Sequence, residues 1–192
     1  MKRFLVLLAE GFEETEAVTT IDVLRRGGVE VTLCALGDTL VEGSRHIKVQ
    51  ADTTIDAPHL EDYDGIYLPG GAKGAMTLRD DPRAQKLIRT YFDAGKKVAA
   101  ICAAPIALER AGILKGQKAT SNPDFASHIR EAEYLEEPVV VSGTIITSRA
   151  AGTALPIGLE ILRQLGLVEE AKQVSHDMLF DFLLENRDKI NA

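Results

Sequence analysis

Short apolar runs alternate along this chain with stretches in which apolar residues recur every three or four positions. RFLVLLA, GIYLPGG and KKVAAIC are continuous and apolar, the pattern of parallel strands buried on both faces, and VEVTLCAL reads as a further strand. Between them, EETEAVTTIDVLRRGG has helical spacing, with acids in its first turn and glycines at its close. DPRAQKLIRTYFDAG is a helix punctuated by Pro82 and Gly95, and AAPIALERAG is another with Pro105 in its first turn. Residues 72–80 read as a loop. LVEGSRHIKVQADTTI predicts a small β excursion, and Ser142-Gly143 between two β-rich runs predicts a hairpin. A short helical piece is expected over residues 124–130. Two helices, GTALPIGLEILRQLG and EEAKQVSHDMLFDFLLENRDKI, finish the chain at Ile190.

Strands separated by helices imply an α/β protein with a mainly parallel sheet covered on both faces. No linker, repeat or low-complexity stretch divides it, so residues 1–192 are expected to form a single domain. The net charge of −7 and the lack of any basic run argue against a nucleic-acid partner. The opening MKRFLVLLAEGF has too short an apolar run for a signal peptide, and acids follow at once. Nothing approaches the length of a membrane span. Two cysteines make no disulfide framework or zinc pattern, and no metal or cofactor is expected. A reduced, cytoplasmic protein is the simplest expectation.

Ligands of open α/β sheets bind beyond the carboxyl ends of the strands, where AEGFEETE, LPGG and ICAAP should meet. Cys102 stands at a strand-to-helix turn that should lift its side chain above the sheet, and the helix start should lower its pKa. Cys34, inside an apolar strand, is expected to be inert core. Gly70 and Gly71 permit a tight turn, and the Gly71 and Ala103 amides can form an oxyanion hole. Of the acids Glu13, Glu14 and Glu16, helix-dipole complementarity explains most. One is expected to face the sheet end, where shielding from water would raise its pKa.

AEGFEETEAVTTIDVLRRGG, YDGIYLPGG, VAAICAAP and TSRAAGT closely resemble the DJ-1 (ThiJ/PfpI) superfamily, especially the branch of the Parkinsonism-associated protein and its bacterial relatives. The resemblance covers all but the last dozen residues. It implies a flavodoxin-like fold and a homodimer, and the apolar stripe of Val18, Ile21 and Leu24 beside polar faces of the first helix is a second ground for expecting the dimer. It places the family's glutamate at Glu16, its oxidisable cysteine at Cys102, its oxyanion amides at Gly71 and Ala103, and its anion-binding arginines at Arg45 and Arg149. Relatives often carry a histidine where TSNP has Asn122, a group that can orient a substrate but cannot exchange a proton at neutral pH. Ala151 replaces a frequent proline, and the peripheral cysteines are missing from GSRHIKVQ. Ala103 stands where peptidase-like members have histidine, which argues against a peptidase, and no H-x-E sequence supports an amidotransferase. The implied activity is conversion of small reactive carbonyls, as a glutathione-independent glyoxalase or deglycase. The alternative is a non-enzymatic oxidative-stress sensor or redox-regulated chaperone.

Overall fold

The computed structural model describes residues 1–189. The first half of the chain runs β1 (Arg3–Leu8), α1 (Glu14–Arg26), β2 (Glu30–Ala35), β3 (Leu40–Glu42), β4 (Lys48–Gln50), β5 (Thr53–Thr54), β6 (Gly65–Leu68), α2 (Ala72–Asp80) and α3 (Pro82–Asp93). The second runs β7 (Lys97–Ile101), α4 (Pro105–Arg110), β8 (Lys118–Ala119), β9 (Glu133–Tyr134), β10 (Val139–Ser142), β11 (Ile145–Ser148), α5 (Ala154–Gln164), α6 (Val168–Asp177) and α7 (Phe180–Glu185). Seven strands form one sheet in the order β10-β11-β7-β6-β1-β2-β5, parallel except for the β10–β11 hairpin.

The unbroken apolar runs are explained by burial on both faces. Along β1, Leu5 and Leu7 join one core cluster while Phe4, Val6 and Leu8 join the other, all with no exposed surface. Each such side chain contributes roughly 1.5–3 kcal/mol on leaving water. In register, Val6 lies between Leu33 and Tyr67. Helix α1 packs closely on α5: a Cβ on Gly158 would fall 2.8 Å from Val23, and one on Gly27 only 2.5 Å from Leu162. This packing buries Ile21 and Leu24 and leaves Val18 exposed, so the stripe expected at a dimer face is mostly monomer core.

Several expectations change. Residues 72–80 form α2 and not a loop, and its interior Gly74 is explained by contact with Phe12, whose nitrogen would sit 3.1 Å from an added Cβ. Asp81 then caps α3 through bonds from the Arg83 and Ala84 amides. The helical piece is a 3-10 turn, Pro123–His128, ending two residues short of Arg130. The last predicted helix breaks at Leu179, which adopts φ +56°, into α6 and α7; its expected end at Ile190 lies outside the described residues. The β excursion is the β3–β4 hairpin, and β10–β11 is the hairpin expected at Ser142-Gly143. Among the described residues no helix is long and apolar enough to cross a membrane.

Candidate active site

The ends of β1, β6 and β7 do converge, because parallel neighbours deliver their carboxyl ends to one edge. Strand β7 ends in Ile101, and Cys102 takes φ +62°, a conformation that costs a non-glycine residue of order 1 kcal/mol or more. Its backbone is fixed from two sides: its amide donates to Ser148 O at 2.9 Å, and its carbonyl accepts from the Asn122 amide at 2.8 Å. The side chain is partly exposed. Cys34 is fully buried in β2, where burial and the charge of Asp56 push its thiol up to about 12.

The three acids at the start of α1 have three separate jobs. Glu13 is the N-cap, accepting from the Glu16 amide at 2.7 Å. Glu14 turns to the β3–β4 hairpin, accepting from Ser44 Oγ at 3.1 Å, the Arg45 amide at 2.5 Å and the Ile47 amide at 3.4 Å. Burial opposes its charge, but these donors outweigh burial and hold its carboxyl below the ordinary range. Glu16, 1% exposed, points to the sheet end and accepts from the Gly70 amide at 2.8 Å. Its carboxyl and the Cys102 side chain flank the same glycine, since a Cβ on Gly70 would lie 2.5 Å from Glu16 Oε2 and 2.7 Å from Cys102 Cβ. Gly70 in turn accepts from the Glu13 amide at 3.0 Å, so the strand end and the helix start grip each other.

Glycine is required at this junction. A Cβ on Gly70 would lie 2.5 Å from Glu16 Oε2 and 2.7 Å from Cys102 Cβ. Gly71 has φ +89°, and a Cβ there would fall 2.3 Å from Gly11 O.

The electrostatics reverse one expectation. Burial, then the charge of Glu16 and its hydrogen bond, push the Cys102 thiol up to about 12, so the helix start does not lower it on balance. Helix α4 is only six residues long, and its field is opposed by an acid in contact with the sulfur. The Ala103 and Gly71 amides work in the opposite direction, favouring the thiolate. Burial also pushes Glu16 up to about 7, with its bond to Cys102 acting against that rise. Two acids in contact share their titration, and the first proton leaves the pair near neutrality.

The arrangement therefore gathers Cys102, Glu16, Gly70, Gly71 and Ala103. Arg149 follows β11 directly after Ser148, and its Nη1 is buried with no hydrogen-bond partner among the described residues. A guanidinium nitrogen so placed suits an anion. Among the described residues the exposed Arg45 side chain bonds only the Ser44 carbonyl, at 3.4 Å, so the loop's main chain rather than this guanidinium is what the structure ties to α1. Asn122 uses its side-chain oxygen to cap the Pro123–His128 turn, bonding the Asp124 amide at 3.0 Å. Its capping role, unforeseen from sequence, leaves only its Nδ2 to meet a ligand. His128 is exposed and lies against Phe125. A cleft of about 400 Å³ lined by Ile55, Leu60, Arg83 and Leu87 contains none of the reactive groups. Exposed His59, Glu61 and Asp62 have ligand atoms within 4.8 Å of one another, but include no residue of the Cys102 cluster.

Glu14 gives a stability prediction. Its folded pKa is depressed, so it contributes stability above its unfolded value, and that contribution fades as pH falls through the folded value. Glu14→Ala should cost about 1–3 kcal/mol at pH 7 by stranding its donors, with a smaller loss at acid pH. Equal losses at pH 7 and pH 3 in denaturant melts would contradict this.

Fold and site together define a flavodoxin-like α/β protein with a cysteine elbow and a contacting glutamate. The chain belongs to the DJ-1/PfpI family, whose model matches residues 2–164. It is 38% identical to Protein DJ-1 homolog B of Arabidopsis thaliana over 90% of this chain, and spans only 40% of that protein's length. It is 31% identical to a deglycase of Thermococcus kodakarensis, covering 78% of this chain and 91% of the relative. Oxidized Toxoplasma gondii DJ-1 superposes with a TM-score of 0.88 at 37% identity, covering 93% of this chain and 98% of that one.

Proposed function

We propose that this protein is a cytoplasmic stress-response enzyme that converts small reactive carbonyls such as methylglyoxal, using Cys102 and Glu16. The observation that carries the reading is the contact between a partly exposed thiol and a buried carboxyl whose pKa is pushed up to about 7. Above that pH the pair holds one proton. When Glu16 keeps it, the sulfur is a thiolate facing the Gly71 and Ala103 amides. The thiolate adds to the aldehyde carbon, and the new oxyanion takes the proton of Glu16, giving a hemithioacetal. Glu16, now a carboxylate, removes the hydrogen from that carbon and returns it to the neighbouring one through an enediol. The product is a thioester of lactate, which water hydrolyses to lactate and the free thiol. Arg149 offers a cation for the developing carboxylate, Arg45 a more exposed one, and Asn122 an amide to orient the substrate. The family's relatives include the deglycase, which supports a substrate of this class.

A homodimer is part of this reading. Exposed Val18 on α1 offers a starting contact.

One observation favours a second role. The partly exposed Cys102 can be oxidised where a protonated Glu16 donates a hydrogen bond to the product, and a structural relative was captured in an oxidized form. The same cysteine would then report oxidative stress without turnover.

The test is lactate formation from methylglyoxal by the wild type and Cys102→Ser. The wild type should form lactate and the variant essentially none. A wild type that forms no lactate, yet gains two oxygens on Cys102 in mild peroxide, would favour the sensor.

A further inference from the structure

The reaction asks Glu16 to stay in contact with one sulfur while it passes protons, so whatever fixes its main chain governs the chemistry. Behind the site lies a polar chain through otherwise apolar core. Tyr67, fully buried in β6, donates its hydroxyl proton to the Glu16 carbonyl at 3.0 Å. Thr20, also fully buried, lies one helical turn further along α1 and donates to Tyr67 Oη at 3.1 Å and to Ala154 O at 3.2 Å. Its single proton is shared between those two acceptors. The strand and the turn that leaves it thus hold Glu16 twice: Tyr67 binds its carbonyl, and Gly70, three residues on, binds its carboxylate. Ala154 begins α5, which follows the Arg149 segment, so the chain of bonds joins three walls of the site.

A tyrosine hydroxyl is an expensive group to bury in an apolar core, where phenylalanine would fill the same space without needing partners. This one is fully satisfied, stays protonated because burial and the nearby Glu16, Cys102 and Glu13 push its pKa well above 10, and has no route to solvent. Its only polar output is the bond to Glu16.

We propose that Tyr67, backed by Thr20, is a positioning residue that holds Glu16 against Cys102. The inference rests on the Cys102–Glu16 chemistry proposed above. Without the hydroxyl, the first turn of α1 relaxes, and the carboxyl spends less time in contact with the sulfur. The titratable groups facing Glu16 are Cys102 on the elbow, Glu13 on its own helix and Tyr67 itself. Once Glu16 swings away it ionises separately, and the two groups no longer share one proton near neutrality.

The experiment compares wild type, Tyr67→Phe, Thr20→Val and Thr20→Ser. Alkylation of Cys102 by iodoacetamide is followed against pH by peptide mass spectrometry, alongside kcat and KM for methylglyoxal. Tyr67→Phe and Thr20→Val should flatten the step that the shared proton gives the alkylation profile near neutrality and lower kcat on the order of tenfold, with KM little changed. Thr20→Ser, which keeps the hydroxyl, should restore both. If Tyr67→Phe fails to fold, the two Thr20 variants decide the question. Folded variants with the wild-type alkylation profile would overturn the proposal. A wild type without methylglyoxal activity would remove the proposed reaction, while the alkylation profiles would still test the positioning.

Discussion

Glu16→Gln should lower methylglyoxal conversion by about two to four orders of magnitude, the usual worth of a general acid–base group. The amide can still accept from the Gly70 amide and donate to the sulfur, but it cannot take a proton from carbon. Cys102 should therefore remain alkylable while turnover is lost. The same change should stabilise the fold. Glu16 titrates at about 7 in the folded chain against an ordinary 4.5, so burial of its charge costs stability as pH rises between those values. Glutamine has no such cost. Its stability advantage should open above about pH 4.5, widen to on the order of 3 kcal/mol near pH 7, and then level off. Urea melts at pH 4, 6 and 8 check this. A variant that stays active, or that is equally destabilised at all three, contradicts the assignment.

Gly70→Ala should be nearly as damaging to activity, although it alters no reactive group. The new methyl would stand 2.5 Å from Glu16 Oε2, 2.7 Å from Cys102 Cβ and 3.0 Å from the Ile101 carbonyl. The carboxyl end is the most mobile of these neighbours, so it gives way and leaves the sulfur. A loss of stability of about 1–3 kcal/mol and a fall in activity of about a hundredfold should follow. Gly152→Ala serves as the control, since nothing lies within 4 Å of a Cβ there. Lactate assays and thermal melts on both variants test the claim. A Gly70→Ala enzyme with wild-type turnover would mean that the Glu16–Cys102 contact is not needed.

Much of the fold could be read from sequence because double-sided burial forces continuous apolar strands, and β1, β6 and β7 carry that mark plainly. The elbow was equally legible: an apolar strand running into Cys102 with Pro105 three residues on leaves space only for a sharp turn. Helix α2 was not, because Gly74 weakens its helical signal and its reason, close approach to Phe12, is a long-range contact. The acids at the start of α1 share one local pattern, yet Glu13, Glu14 and Glu16 serve a cap, a hairpin and a thiol. Only the positions of Gly43–Ile47 and Gly70 separate them. The direction of the Cys102 shift was misjudged for a related reason, since dipole and sequence neighbours are local while burial and the Glu16 contact are tertiary. Tyr67 and Thr20 left no mark because a buried hydroxyl pair looks like any other polar interruption in an apolar run.

The rate of Cys102 alkylation as a function of pH, with Cys34 as internal control, bears most directly on the paired thiol and carboxyl. The account predicts a first step near pH 7, where the pair comes to share one proton, a further rise toward the thiol's own value of about 12, and little reaction at fully buried Cys34. A profile with no step near neutrality, or a Cys34 that reacts first, would contradict it.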